Sequence, residues 1–329
     1  MDQLPQKSPY TLSRGIQILI IVLIVQNLAA GPSRGFSSGK AGFAVKFKDE
    51  VSPYRVIGIF VLPNERLTLQ VLNNANKDSY VLEVSAGKVT PIAANKWHWR
   101  APGEAGLYPV KIIQPHTADS ITLNIFVMVP YNRLKGEYLN GYRIGTYPSV
   151  LFKQLSIYKP PKGFIEVTKK NEKTFVAPHL KLEQFLCNQE GSYPKYLVLK
   201  ERLLLKLELI LEKVNEEGYR CETFTIMSGY RTPYYNRTIG NVKYSRHLWG
   251  DAADIFIDEN SKDGIMDDLN RDGRIDYRDA AILYDIIDGM YGKPWYRLLI
   301  GGLARYEKTA SHGPFVHVDV RGFRARWGD

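Results

Sequence analysis

The sequence predicts a multidomain chain: an N-terminal β-sandwich, immunoglobulin-like in its strand spacing, followed by an α+β domain with a small antiparallel sheet. Three observations carry this. The length, 329 residues, suits two cores better than one. Between residues 41 and 130, short segments alternate apolar with polar positions and are separated by turn signals. From residue 164 onward, a long amphipathic helical stretch is mixed with short apolar runs. A hydrophobic fraction of 44% with 24% charged residues fits a folded chain.

Taken in order, residues 1–40 carry Lys7 and Arg14 ahead of an uncharged run over 15–33. Its apolar centre spans 16–25, and the small residues Ala29, Ala30 and Gly31 follow. A basic flank, an apolar stretch and a small-residue exit mark a signal peptide. The run is also long enough to act as a membrane anchor, although Gln17, Gln26 and Asn27 weaken that reading. Either way the remainder is expected to be exported. Residues 31–39 read as a flexible stretch.

Residues 41–130 give strands at 66–71, 80–84, 96–100 and 120–127, punctuated by Asn73-Asn74, Ala86-Gly87 and Pro102-Gly103. His98 lies between two tryptophans within a strand and reads as a half-exposed sheet residue rather than a ligand. This domain carries no visible chemistry, so a spacer or a binding module is expected. Residues 131–163, rich in Tyr, Gly, Pro and Lys, form an ordered connector. The region 164–329 has a helix at 196–215 with a dense leucine face, strands at 223–228, 253–257 and 315–320, and a helix at 279–290. Cys187 and Cys221 form no CxxC pair, which leaves one disulfide or two buried thiols. The net charge of +10 favours an anionic partner or a solvated basic surface, and no nucleic-acid motif accompanies it.

Two segments carry chemistry. Alternation along a strand puts Asp254, Phe256 and Asp258 on one face, and Phe315, His317 and Asp319 on one face of another. If the strands are neighbours, Asp254 and His317 point at the same spot. A short turn containing Gly250 folds His247 back over the start of the first strand. Two imidazoles and a carboxylate are a common catalytic zinc set with an open fourth position. Histidines at this separation also serve as ordinary surface or core residues, so the spacing alone leaves both readings.

The segments come in blocks: Ser228-Gly229-Tyr230-Arg231 followed by Thr232-Pro233; Ser245, His247, Gly250, Ala252 and Asp254; Gly301 to Tyr306; and His317-Val318-Asp319. In that order they resemble the zinc D-alanyl-D-alanine carboxypeptidase and murein endopeptidase family, which shares its core fold with the signalling domain of Hedgehog proteins. The resemblance implies that His247, Asp254 and His317 bind zinc and that Arg231 holds polar groups of the substrate. Relatives often place Asp or Glu three residues before the last histidine, where this chain has Pro314. His312 is then the expected general base, with Glu307 behind it, and Asp319 an alternative partner that orients His317. The implied function is hydrolysis of peptidoglycan stem peptides or cross-links in the bacterial envelope. DD-endopeptidase action is favoured over D-Ala-D-Ala carboxypeptidase action. A non-catalytic wall-binding scaffold is the rival, and nucleic acid is not an expected partner.

Between the two zinc-bearing strands, within an insertion at 258–279, Asp268, Asn270, Asp272, Arg274, Asp276 and Asp279 fall at the spacing of an EF-hand or dockerin loop, with Gly273 at the sixth position. A structural Ca2+ ion is expected there, with Arg274 offering its carbonyl and Asp279 replacing the usual glutamate.

Overall fold

The computed structural model describes residues 35–72 and 79–328. The expected signal or anchor segment and the Asn73-Asn74 turn lie outside the described residues. Among the described residues, no helix is long and apolar enough to cross a membrane. The architecture is mostly β, in several sheets, with few helices.

Among the described residues, nine strands make an N-terminal β-rich region: β1 (Lys40–Phe47), β2 (Glu50–Tyr54), β3 (Val56–Val61), β4 (Arg66–Leu72), β5 (Val81–Val84), β6 (Lys88–Ala93), β7 (Lys96–Arg100), β8 (Gly106–Gln114) and β9 (Asp119–Val127). One sheet runs β2-β1-β4-β7-β6 and the other β3-β9-β8-β5, with β3 and β9 parallel. Period-two burial is clearest in β4, where Leu67, Leu69 and Val71 point inward and Arg66, Thr68 and Gln70 outward. Trp97 and Trp99 are buried on β7, and His98 between them faces out, against Thr68.

The connector is short on regular structure yet firmly packed. β10 (Val129–Pro130) pairs with β13 (Gly163–Val167), and β11 (Tyr138–Leu139) pairs with β12 (Tyr142–Arg143). The buried Tyr147 hydroxyl donates to the Leu248 carbonyl at 2.9 Å, and Trp249 Nε1 donates to the Lys159 carbonyl at 2.9 Å. The segment therefore straps the turn that carries His247.

The C-terminal domain continues with β14 (Phe175–Ala177), β15 (Leu180–Lys181), β16 (Lys195–Leu197), α1 (Glu201–Glu216), β17 (Thr225–Ser228), α2 (Pro233–Thr238), β18 (Ala252–Phe256), α3 (Tyr277–Asp288), β19 (Gly302–Tyr306), β20 (Phe315–Asp319) and β21 (Ala325–Trp327). Its main sheet runs β17-β18-β20-β19-β21 and is antiparallel except for the β19–β21 pair. The long helix begins later than its apolar pattern suggests. Tyr196 and Leu197 belong to β16, because a short apolar run reads equally as strand or helix until its pairing is known. α1 buries Leu203, Leu204, Leu207, Ile210, Leu211 and Val214, the spacing of a helix face set into a core.

α1 also ties the C-terminal half to the N-terminal strands, within one continuous buried cluster. Glu201 accepts from Lys48 Nζ at 2.5 Å and from the Phe60 backbone N–H at 3.1 Å. Glu212 accepts from Lys40 Nζ at 2.6 Å and from the Tyr54 hydroxyl at 2.9 Å. Arg202 Nε donates to Glu50 at 2.8 Å. Cys187 and Cys221 are both free and buried, which answers the open cysteine question in favour of two thiols. Burial pushes both thiols above their ordinary pKa.

Candidate active site, a metal centre between neighbouring strands

The site starts from the register of β18 on β20, which sets Asp254 directly opposite His317. Such partners stand with Cβ atoms roughly 5 Å apart on the same face. His247 comes from the turn before β18. Gly250 ends that turn at φ +65°, and a Cβ there would meet the Val198 carbonyl oxygen at 2.0 Å. Only glycine lets the chain turn so sharply and pass so close to its neighbour. Gly229 has a related role: a Cβ would meet Phe185 Cα at 2.6 Å, and its carbonyl faces the His247 ring.

His247 Nδ1 lies 2.7 Å from the Gly229 carbonyl, which can only accept, so Nδ1 carries the proton and Nε2 presents its lone pair inward. His317 Nε2 lies 3.3 Å from Asp319 Oδ2, and the same reasoning turns His317 Nδ1 inward. His247 Nε2 is 3.2 Å from both Asp254 Oδ1 and His317 Nδ1, and His317 Nδ1 is 2.8 Å from Asp254 Oδ1. All three residues are buried. Ligands bound tetrahedrally at about 2.0–2.1 Å stand roughly 3.3 Å from one another, so this triangle fits a zinc ion with slight expansion.

Electrostatics reinforce that fit. Burial favours the neutral form of both rings and leaves His247 below its ordinary pKa, helped by the charge of Arg231. His317 ends above the ordinary value despite its burial, because Asp254 and Asp319 flank it. Burial opposes ionisation of Asp254 and of Asp319, yet His247 and His317 hold the first, and His317 and Arg321 the second, well below the usual carboxylate range. Positive charge is thus favoured where the three inward atoms meet, and a metal ion meets that demand as a proton does.

The residues behind the trio are tied in turn. Arg231 Nη2 donates to Asp254 Oδ2 at 2.6 Å, and Nε donates to Ser228 Oγ at 2.7 Å. The arginine expected to hold substrate thus spends these donors on orienting the Asp254 carboxylate. Asp319 accepts from the Gly302 backbone N–H at 2.7 Å and from Arg321 Nε at 2.8 Å. Lys206 on α1, fully buried, donates to the Asp319 carbonyl at 2.8 Å. Burial lowers its pKa to about 7. Arg321 and Lys206 escaped sequence reasoning. The signal for Lys206 was present, since it falls three and four residues from Leu203 and Ile210 on the buried stripe.

Residues 164–276 match the model of the family described as Peptidase M15. Over those residues the chain is similar to that family, as the motif blocks implied. M15 peptidases are zinc metallopeptidases. The matched span includes His247 and Asp254 and ends before His317, so His317 joins the candidate ligands through the strand register and the distances. No curated protein matches the chain.

Beyond the matched residues, His312 is half-buried on the loop entering β20. Its Nδ1 lies 2.8 Å from the Gly313 carbonyl, and its ring packs edge-on against Phe315 at 5.0 Å. Glu307 is exposed just after β19. Trp327 packs against His317 at 5.2 Å between ring centroids and donates from Nε1 to the Tyr306 hydroxyl.

The calcium expectation finds no support. Among the described residues, only His247, Asp254 and His317 gather His, Cys or acidic ligand atoms as a metal requires. The loop turns its oxygens onto its own amides instead. Asp268 accepts from the Asp272 and Gly273 backbone N–H groups, Asn270 Oδ1 from that of Asp272, and Asp272 Oδ1 from that of Arg274. Asp272 Oδ2 takes Arg278 Nη1 at 2.8 Å, so a guanidinium supplies positive charge there. Asp276 caps α3 through the Arg278 N–H. Asp279, fully buried, accepts from Leu269, Asn270 and Asp276 and closes the loop. The spacing that places oxygens around an ion also places them to cap a run of turns.

Proposed function

We propose that the M15-like domain hydrolyses peptidoglycan stem peptides or cross-links, acting as an endopeptidase. The observation that carries this reading is the convergence of two imidazole lone pairs and the Asp254 carboxylate within 3.2 Å of one another. His247, Asp254 and His317 would hold the metal; bound there, zinc supplies Lewis acidity, polarising a carbonyl and making water a better nucleophile near neutral pH. Arg231 keeps Asp254 Oδ1 aimed inward by engaging Oδ2, and Asp319 keeps the Nδ1 face of His317 turned the same way.

His312 is the proton carrier in this reading. Its Nδ1 donates to the Gly313 carbonyl, which leaves Nε2 to accept the proton of the attacking water and return it to the leaving amine. Glu307 is the fallback. Arg231 bears on the choice between the two reactions. A carboxypeptidase needs a cation for the terminal carboxylate, and the engagement of Arg231 by Asp254 and Ser228 favours the endopeptidase. The basic flank and apolar run of residues 7–33 support export to the bacterial envelope, and nine strands in two sheets support an immunoglobulin-like reading of the first domain.

Digestion of purified peptidoglycan, with mass spectrometry of the products, tests the proposal. The wild type should release fragments cut at cross-links, and His312→Ala should lose about a hundredfold in rate while retaining zinc. A zinc-loaded wild type that releases nothing would replace the enzyme with the wall-binding scaffold.

A further inference from the structure

The outer face of the five-stranded sheet in the N-terminal domain has no role in the chemistry above. The register β4–β7–β6 sets Arg66, Arg100 and Lys88 side by side, with Arg100 between the other two. One step along, Thr68, His98 and Thr90 form the next row. Lys96 and Lys46 flank Gln70 in the row beyond. Burial alternation puts these rows outward, with Leu67, Leu69, Trp97 and Trp99 beneath them. Strands β1, β4, β6 and β7 contain no Asp or Glu. Among the described residues, the five cations make no ion pair, hydrogen bond or ring contact.

Like charges directly opposite one another across strands destabilise a sheet. Three in a row, unrelieved by a carboxylate, work against the fold unless an anion meets them. Neighbours within the three-cation row stand roughly 5 Å apart across strands, and the two charged rows stand roughly 13 Å apart along them, with hydroxyl and imidazole groups between. This suits an extended polymer bearing regularly placed carboxylates. Resting on the wall-peptidase reading above, we propose that this face docks the chain onto peptidoglycan through the carboxylates of its stem peptides, holding the M15-like domain near its substrate. The carboxylate pairs of α1 with Lys40 and Lys48 tie the two domains, so docking at one constrains the position of the other.

The test compares the full chain with its Arg66→Thr/Lys88→Thr/Arg100→Thr variant in co-sedimentation with insoluble peptidoglycan. The variant should bind about tenfold more weakly, wild-type binding should fall with added salt, and cleavage of soluble cross-linked muropeptides should be unchanged. Thermal denaturation should show the variant at least as stable as the wild type, since a like-charge row has been removed. Arg100→Thr alone is the second variant if the triple one misfolds. Equal binding by wild type and folded variant overturns the proposal, and so does tighter wild-type binding to anionic lipid vesicles or DNA than to peptidoglycan. A chain that binds through these residues but cleaves nothing upholds the docking face and removes the peptidase reading.

Discussion

His317 is held from both ring nitrogens, and the asymmetry of that grip controls what it can bind. Asp319 takes the Nε2 side and is itself fixed by Arg321 and the Gly302 N–H, so rotation of the ring would break a network rather than one bond. Replacing Asp319 with Asn keeps the shape and removes the charge. We expect zinc affinity to fall about 10–100-fold, read by competition with a chromophoric chelator. Arg231→Gln should weaken zinc by the same route, through a freed Asp254 Oδ2, and should raise KM less than it lowers metal affinity. A change confined to KM would instead return Arg231 to the substrate. Strand alternation let Asp254 and His317 be read as facing one spot, while His247 and the choice among readings came from the resemblance of the motif blocks. The partners of Arg231 were not legible, since they depend on how β17 and β18 meet. The oxygen spacing at 268–279 does not by itself separate capping from ion binding, because both use the same residue types.

At the scale of elements, the sharp turn between His247 and β18 is the least tolerant. Gly250→Ala would force a Cβ onto the Val198 carbonyl at positive φ. The expected cost is roughly 3 kcal/mol, measured by urea denaturation. The main strands and both long helices were readable from apolar period. Helix α1 was readable except at its start, where Tyr196 and Leu197 pair with β13. What no local pattern revealed is that Glu201, Glu208 and Glu212 on α1 are buried. On a helix with an apolar stripe, such residues read as the solvated side. Here their partners arrive from strands about 150 residues earlier in the chain, and from His179.

The whole molecule is joined along that helix, and its stability should carry the pH signature of the junction. Burial favours neutral His179, but Glu208, which accepts from its backbone N–H at 2.9 Å and lies 2.7 Å from its ring Nδ1, raises its pKa above 6.5. A histidine whose folded pKa is raised contributes stability fully present below its unfolded value of about 6.5 and lost as pH rises through the folded value. The urea midpoint of the wild type should therefore lose this contribution on the alkaline side, and His179→Gln should flatten that part of the profile. An identical slope in the variant would show that another group carries it.

The account depends on three inward atoms from His247, Asp254 and His317 sharing a cation. Elemental analysis of the purified full chain, beside Asp254→Ala, addresses this directly. The account predicts about one zinc per wild-type chain, as a three-ligand site with an open position requires, and nearly none in the variant. Zinc retained in full by Asp254→Ala, or absent from a folded wild type supplied with it, would contradict the account.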